Sequence, residues 1–229
     1  MYWYDFRGLF FILGALALAL IAQLVMKATY SKYAKVQSST GMTGFAAARK
    51  ILDDAGLHNV PIERVEGDLT DQFDPKANAL RLSDTTYNST SVAAIGVAAH
   101  ECGHAMQYAE QYGPMKLRGA LVKSTNISSS LSFIIVFLGL FFGIVEIAWA
   151  GVILFGVVVL FQLVTLPVEF NASARAVKVL GGYLPSEEVG QVKKVLAAAA
   201  MTYVAALAGA ILQLLRLVLI VSGNGRSRR

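Results

Sequence analysis

The sequence predicts a mainly α-helical integral membrane protein, with about four transmembrane helices and a water-compatible region that carries a small β-sheet. Three observations lead there. Of the 229 residues, 55% are hydrophobic and only 15% charged, and the mean hydropathy of +0.55 is far above that of an ordinary soluble domain. Four stretches are long and apolar enough to cross a bilayer. Between them lie two polar regions, residues 27–125 and about 169–194, with the caps, turns and alternations of water-exposed structure.

The first span, Leu9 to Met26, is 18 residues without a charge, or ~27 Å of helix at 1.5 Å per residue. The Ala-Leu-Ala repeats from Ala15 to Ala19 imitate a signal cleavage site, but the apolar run continues past them and ends in lysines, as a retained anchor does. In the large polar region, Thr43 caps a helix running to about Ala55, with Ala46, Ala47, Ala48, Ile51 and Leu52 along it and Gly56 as its stop. Val60 to Glu66 alternates as a short strand. Asp71-Gln72-Phe73-Asp74-Pro75 reads as a turn and Ala79 to Ser83 as a second strand. Asn88, Ser89, Thr90 and Ser91 offer caps for a helix of about 20 residues. Spans two and three, about Ile127–Val145 and Ile147–Leu166, are separated by Glu146 alone and so form a tight hairpin, which puts both polar regions on one side of the membrane. The fourth span, about Ala199 to Val221, carries Arg216 near its end, where the stem can reach the headgroups.

Basic residues near the span ends set the orientation. Ten (Lys27, Lys32, Lys35, Lys116, Arg118, Lys123, Arg175, Lys178, Lys193 and Lys194) flank the polar regions, against Arg7, Arg226, Arg228 and Arg229 on the other side. The balance predicts a multi-pass cell-membrane protein with its polar regions cytoplasmic, although the basic tail pulls the other way. The net charge of +5 is thus membrane topology, and no basic stripe with interleaved aromatics points to nucleic acid. One cysteine, Cys102, excludes an internal disulfide.

The chemistry lies in the 20-residue helix. His100-Glu101-Cys102-Gly103-His104 is an HExxH motif, and it holds two of the chain's three histidines. At i and i+4 the two imidazoles share a face and converge on one metal ion, while Glu101 is placed to take a proton from a water that the metal activates. Cys102 points away from the metal as a small packing residue. Catalytic zinc usually has a third protein ligand. His58 follows Gly56 in an expected surface turn. Glu110 stands six residues after His104, but the sharp turn that would return it normally uses a glycine where this chain has Gln107. Glu169, just after Pro167 at the end of the third span and on the same side as the motif, is the strongest of the three. Two histidines and a glutamate make the arrangement gluzincin-like. The expected organisation is an anchor at 1–26, a zincin-like catalytic region at 27–125, a transmembrane hairpin at 126–168, a third-ligand helix region at 169–198, a transmembrane helix at 199–222 and a basic tail at 223–229.

The motif helix, the segment Asp71–Pro75 with Leu80-Arg81-Leu82-Ser83, and the stretch Leu166-Pro167-Val168-Glu169-Phe170-Asn171-Ala172-Ser173 together resemble the YugP-like family of bacterial membrane-embedded zinc metallopeptidases, over nearly the whole chain. More distantly the arrangement is similar to HtpX and the CAAX prenyl proteases, whose later glutamate lies in a Glu-aromatic-x-Ala-Asp pattern. Glu169-Phe170-Asn171-Ala172 matches that pattern and Ser173 departs from its Asp, which in those relatives is thought to orient a histidine. The resemblance leaves Ser173 or Asn171 to do so here. It implies Zn2+ held by His100, His104 and Glu169, with Glu101 catalytic, and peptide or protein substrates, membrane proteins among them.

The expected function is therefore a membrane-embedded zinc-dependent endopeptidase working at the membrane surface. A free edge on strand Ala79–Ser83 would receive an extended substrate by strand addition. Arg175, Tyr183 and Tyr203 are candidate oxyanion donors that no spacing singles out. The alternatives are a non-catalytic zinc-binding quality-control scaffold, which would have no need of Glu101, and zinc-dependent hydrolysis of a small amide or lipid. No Gly-rich phosphate cradle or Gly-x-Ser-x-Gly elbow supports another enzyme class.

Overall fold

A computed structural model describes residues 2–226; Arg228 and Arg229 of the basic tail lie outside the described residues. In chain order these form α1 (Tyr2–Tyr33), α2 (Gly44–Asp54), β1 (Ile62–Val65), β2 (Gln72–Asp74), β3 (Ala79–Ser83), α3 (Asp84–Tyr87), α4 (Val92–Ala109), α5 (Gly113–Phe142), α6 (Val145–Leu180) and α7 (Ser186–Arg226). They fall into two compact units. One takes α1 through Gln23, Leu117–Leu166 and α7 from Thr202; the other takes Leu24–Lys116 and Pro167–Met201.

In the first unit, α5 and α6 make the expected hairpin, but the turn is at Gly143-Ile144 rather than at Glu146. Gly143 takes φ +73°, a left-handed conformation that ends α5 at little cost only for glycine. Glu146 instead sits in the first turn of α6, where its charge suits the positive end of the helix dipole. The helices meet closely: a Cβ on Gly139 would stand 2.3 Å from the Ala148 backbone nitrogen. Val136, Ala148, Val152, Phe155, Leu217 and Val221 form this unit's core.

Four helices, α1, α5, α6 and α7, are long and apolar enough to cross a membrane. Their outward faces carry Phe10, Phe141 and Ile153 at 68%, 70% and 73% exposure. Water would not tolerate so large an apolar surface, and lipid does.

The second unit is built around α4. The α2 helix forms as its sequence predicts: Thr43 Oγ1 accepts from the Ala46 N–H, and Ala47, Ala48, Ile51 and Leu52 are buried. Three strands lie in the order β1-β3-β2, with β1 parallel to β3 (Ile62 opposite Leu80) and β2 antiparallel to it (Phe73 opposite Leu80). Two expectations are corrected here. The segment read as a turn at Asp71–Pro75 contains strand β2, and the reversal comes one step later, where Asp74 Oδ1 accepts from the N–H groups of Lys76 and Ala77 and Asn78 takes φ +48°. Strand β3 matches its expected bounds but is central, with both edges paired, so no free edge remains on Ala79–Ser83 for a substrate strand.

Helix α6 does not stop at Pro167. A proline inside a helix costs about 3 kcal/mol or more through its missing N–H and ring clash. Beyond it, Val168, Ala172, Ala176 and Leu180 recur every fourth residue and are all essentially inaccessible, so one stripe of α6 is buried and offsets that cost. Helix α7 likewise starts at Ser186, well before its apolar stretch, and Val192, Val195 and Leu196 are buried.

Candidate metal centre

Helix α4 starts where Ser91 Oγ accepts the Ala94 N–H. Its small residues Ala93, Ala94, Ala98 and Ala99 are fully buried, which makes it the central rod of the unit and fixes the bearing of every side chain on it. His100 and His104, one turn apart, stand edge to face with ring centroids 4.7 Å apart. Glu169, on α6, completes the cluster. Its Oε2 is 3.3 Å from His100 Nε2 and 3.6 Å from His104 Nε2. The three ligand atoms lie within 4.8 Å of one another, and Glu169 is only 2% exposed.

One residue inside the motif makes this approach possible. A Cβ on Gly103 would stand 2.6 Å from the Ala172 carbonyl oxygen, so only glycine lets the α6 backbone reach α4 one turn past Glu169. The variable position filled by Cys102 faces the opposite way: its thiol is buried, lies 3.6 Å from the Ala48 carbonyl, and burial pushes its pKa up.

Both imidazoles are held by their Nδ1 atoms, which leaves Nε2 for a metal. His100 Nδ1 lies 3.1 Å from Ser173 Oγ, and His104 Nδ1 lies 3.0 Å from Gln107 Oε1. Ser173 thus stands where the resemblance allowed it to stand. Asn171 does not touch a histidine; its Oδ1 accepts from Gln107 Nε2 and Arg175 Nε. Gln107, which the sequence marks only as the absence of a glycine, is the residue that contacts His104 Nδ1. Its spacing was a usable signal, since an amide three residues after a histidine on a helix reaches back to it.

Glu101 is buried, and its Oε2 accepts a 2.8 Å hydrogen bond from the Phe73 N–H of strand β2. Burial raises the Glu101 carboxyl above its ordinary value; the two histidines and the Phe73 N–H oppose this and Glu169 adds to it. For His104 burial works against protonation, but Glu169, Glu101 and Gln107 outweigh it and raise its pKa.

The other candidates lie elsewhere. His58 Nδ1 pairs with Asp53 in an exposed turn. Glu110 follows α4 and makes a bidentate ion pair with Arg175, 2.6 Å at each contact, which holds its carboxyl below the usual range. Arg175 is thereby committed away from an oxyanion role, as is Tyr183, whose hydroxyl donates to Asp54.

A family model described as "Putative neutral zinc metallopeptidase" matches residues 8–222. The chain belongs to that family. A relative from Bacillus subtilis (strain 168), named "Putative membrane protease YugP", is 44% identical over 220 residues, covering 95% of this chain and 97% of its own. No solved structure gives a significant match. Membership of this zinc metallopeptidase family implies Zn2+ as the cofactor, and the donor set of two imidazole nitrogens and one carboxylate oxygen, His100, His104 and Glu169, fits that ion. With its four apolar helices and a membrane protease as homologue, the chain is a membrane protein.

Proposed function

We propose that this member of the family is a multi-pass membrane endopeptidase that cleaves peptide bonds at the cytoplasmic membrane surface, with zinc held by His100, His104 and Glu169 and with Glu101 as its general base. The observation that carries this reading is the convergence of His100 Nε2, His104 Nε2 and Glu169 Oε2 beside a glutamate whose free movement is restrained by Phe73.

Zinc, when bound, supplies Lewis acidity, lowering the pKa of a water it holds to about 7 and polarising the scissile carbonyl. Glu101, held by the Phe73 N–H at Oε2, takes the proton as the water oxygen bonds to the carbonyl carbon. Glu101 then gives that proton to the nitrogen as the carbon–nitrogen bond breaks, yielding a carboxylic acid and an amine; the acid's proton passes to the amine, and the products part as carboxylate and ammonium. Burial pushes the Glu101 pKa up, the direction that helps a carboxyl hold and then return a proton. Ser173 and Gln107 hold the imidazoles by Nδ1, keeping Nε2 turned to the metal. A scaffold that bound zinc without turnover would need neither Glu101 nor its restraint.

The test is cleavage of a quenched fluorescent peptide library by detergent-purified, zinc-loaded protein, wild type beside Glu101→Gln. The variant is expected to keep one zinc per chain while the rate falls by about 10²–10⁴, the usual worth of a general base. Substantial cleavage by Glu101→Gln would remove Glu101 from this role, and a wild type that binds zinc but cleaves nothing in the library would favour the scaffold.

A further inference from the structure

The side chains behind His104 form a chain of hydrogen bonds whose direction is fixed from outside. Amide groups can be turned over, and an imidazole can carry its proton on either nitrogen, so contact alone does not say which atom donates. Two groups in this chain cannot be reversed. The Val168 carbonyl only accepts, and the Arg175 guanidinium only donates. Arg175 Nη1 and Nη2 are each held by one oxygen of Glu110, which leaves Nε directed at Asn171, 2.8 Å from its Oδ1. Asn171 must therefore present its oxygen, and the same atom accepts from Gln107 Nε2 at 2.9 Å. The second hydrogen of Gln107 Nε2 goes to the Val168 carbonyl at 2.8 Å. With its nitrogen committed twice, Gln107 has only Oε1 to offer His104 Nδ1, 3.0 Å away. An acceptor at that point keeps the proton on Nδ1 and the lone pair on Nε2, the nitrogen that faces Glu169.

The other histidine has no such arrangement. His100 Nδ1 meets the Ser173 hydroxyl, which rotates and can donate or accept. Gln107 is wholly buried, whereas Arg175 and Glu110 reach the surface, at 23% and 58% side-chain exposure.

We propose that Gln107 is the positioning residue of His104, and that the Glu110–Arg175 ion pair at the protein surface, acting through Asn171, sets its direction together with the Val168 carbonyl. The proposal rests on the reading of His100, His104 and Glu169 as a zinc site. A group at the end of such a chain acts on metal affinity without touching the metal.

The experiment is the zinc dissociation constant of the detergent-purified full chain, by chelator competition, for wild type, Gln107→Met, Arg175→Met, the double variant, and Asn171→Asp. Gln107→Met is expected to bind zinc about 10- to 100-fold more weakly, the usual cost of losing a histidine's outer partner. Arg175→Met should weaken it less, and the double variant should be no weaker than Gln107→Met, because residues acting through one another are not additive. Asn171→Asp should stay within about threefold of wild type, since a carboxylate accepts from both Gln107 and Arg175. Wild-type affinity in Gln107→Met, or a full additional loss from Arg175→Met in the double variant, overturns the proposal while leaving the zinc site standing. A wild type that binds no zinc brings down the zinc reading and this proposal with it. If Gln107→Met does not fold, the contrast between Arg175→Met and Asn171→Asp decides alone: equal affinities in those two refute the chain.

Discussion

Gly103→Ala adds one methyl group to the motif helix and should disable the metal centre from within the HExxH sequence. The new Cβ would lie 2.6 Å from the Ala172 carbonyl oxygen and 3.1 Å from the Ala172 carbonyl carbon and Cα, all of them backbone, so no side chain can swing aside. Ordinary contact begins near 3.4 Å, and the gap between α4 and α6 must open by roughly 0.8 Å to reach it. Glu169 is three residues before Ala172 and on the same buried side of α6, so it is carried outward with that backbone. A metal site tolerates only about 0.2 Å in its ligand distances. The displacement is several times that tolerance, and a loss of at least tenfold in zinc affinity follows. Overpacking of this kind also costs about 1–3 kcal/mol of stability. The assay is zinc affinity by chelator competition together with the thermal midpoint, using Gly190→Ala as control, because a Cβ there meets nothing within 4 Å. That control should be neutral or slightly stabilising, as glycine to alanine in an open helix gains up to about 1 kcal/mol. Wild-type zinc affinity in Gly103→Ala would refute the argument that the α4–α6 approach sets the ligand geometry.

Three further outcomes follow from the same structure. Glu169→Ala should lower zinc binding below one per chain at micromolar metal, measured by elemental analysis, while retained stoichiometry would return the third-ligand role to another residue. Chelation should lower the thermal midpoint of wild type but not of Glu169→Ala; metal held at 100 times its dissociation constant contributes about 2.7 kcal/mol to the folded state. Cys102, buried and with its thiol pKa pushed up, should resist maleimide at pH 7.5 in the folded protein and react once denatured, as mass spectrometry would report. Rapid labelling of the folded chain would mean that α4 opens.

The elements that were legible in the sequence are those whose signals are local. Thr43 and Ser91 cap the helices they precede, and the run Ala79 to Ser83, read as a strand, is β3 to the residue. Strand β2 was hidden because its flanking aspartates look like turn formers. Asp71 in fact turns its carboxylate to the Ser83 N–H and hydroxyl and to Thr86, twelve or more residues away, and only Asp74 closes a local turn. Pro167 misled in the same manner. Its local penalty is real, but what carries α6 through it is a stripe of tertiary burial that no single window reveals. At the site, the motif and Glu169 could be named from residue types, spacing and resemblance. Gln107 and Asn171 acquire their orientation from partners about sixty residues distant, so their part became visible only once α4 and α6 were side by side.

That separation along the chain has a consequence for the protein's birth. His104 leaves the ribosome 65 residues ahead of Glu169, and α5 with the first two-thirds of α6 lies in between. At about 5–20 residues per second, roughly 3 to 13 seconds separate the motif from Glu169, the proposed third ligand. On the proposed reading, the chain would hold a two-histidine half-site during that interval, and hydrolysis would wait until Glu169 had been synthesised. Under the proposed function, a peptidase built in this order would be kept from acting on its own unfinished chain by nothing more than the order in which its residues are made.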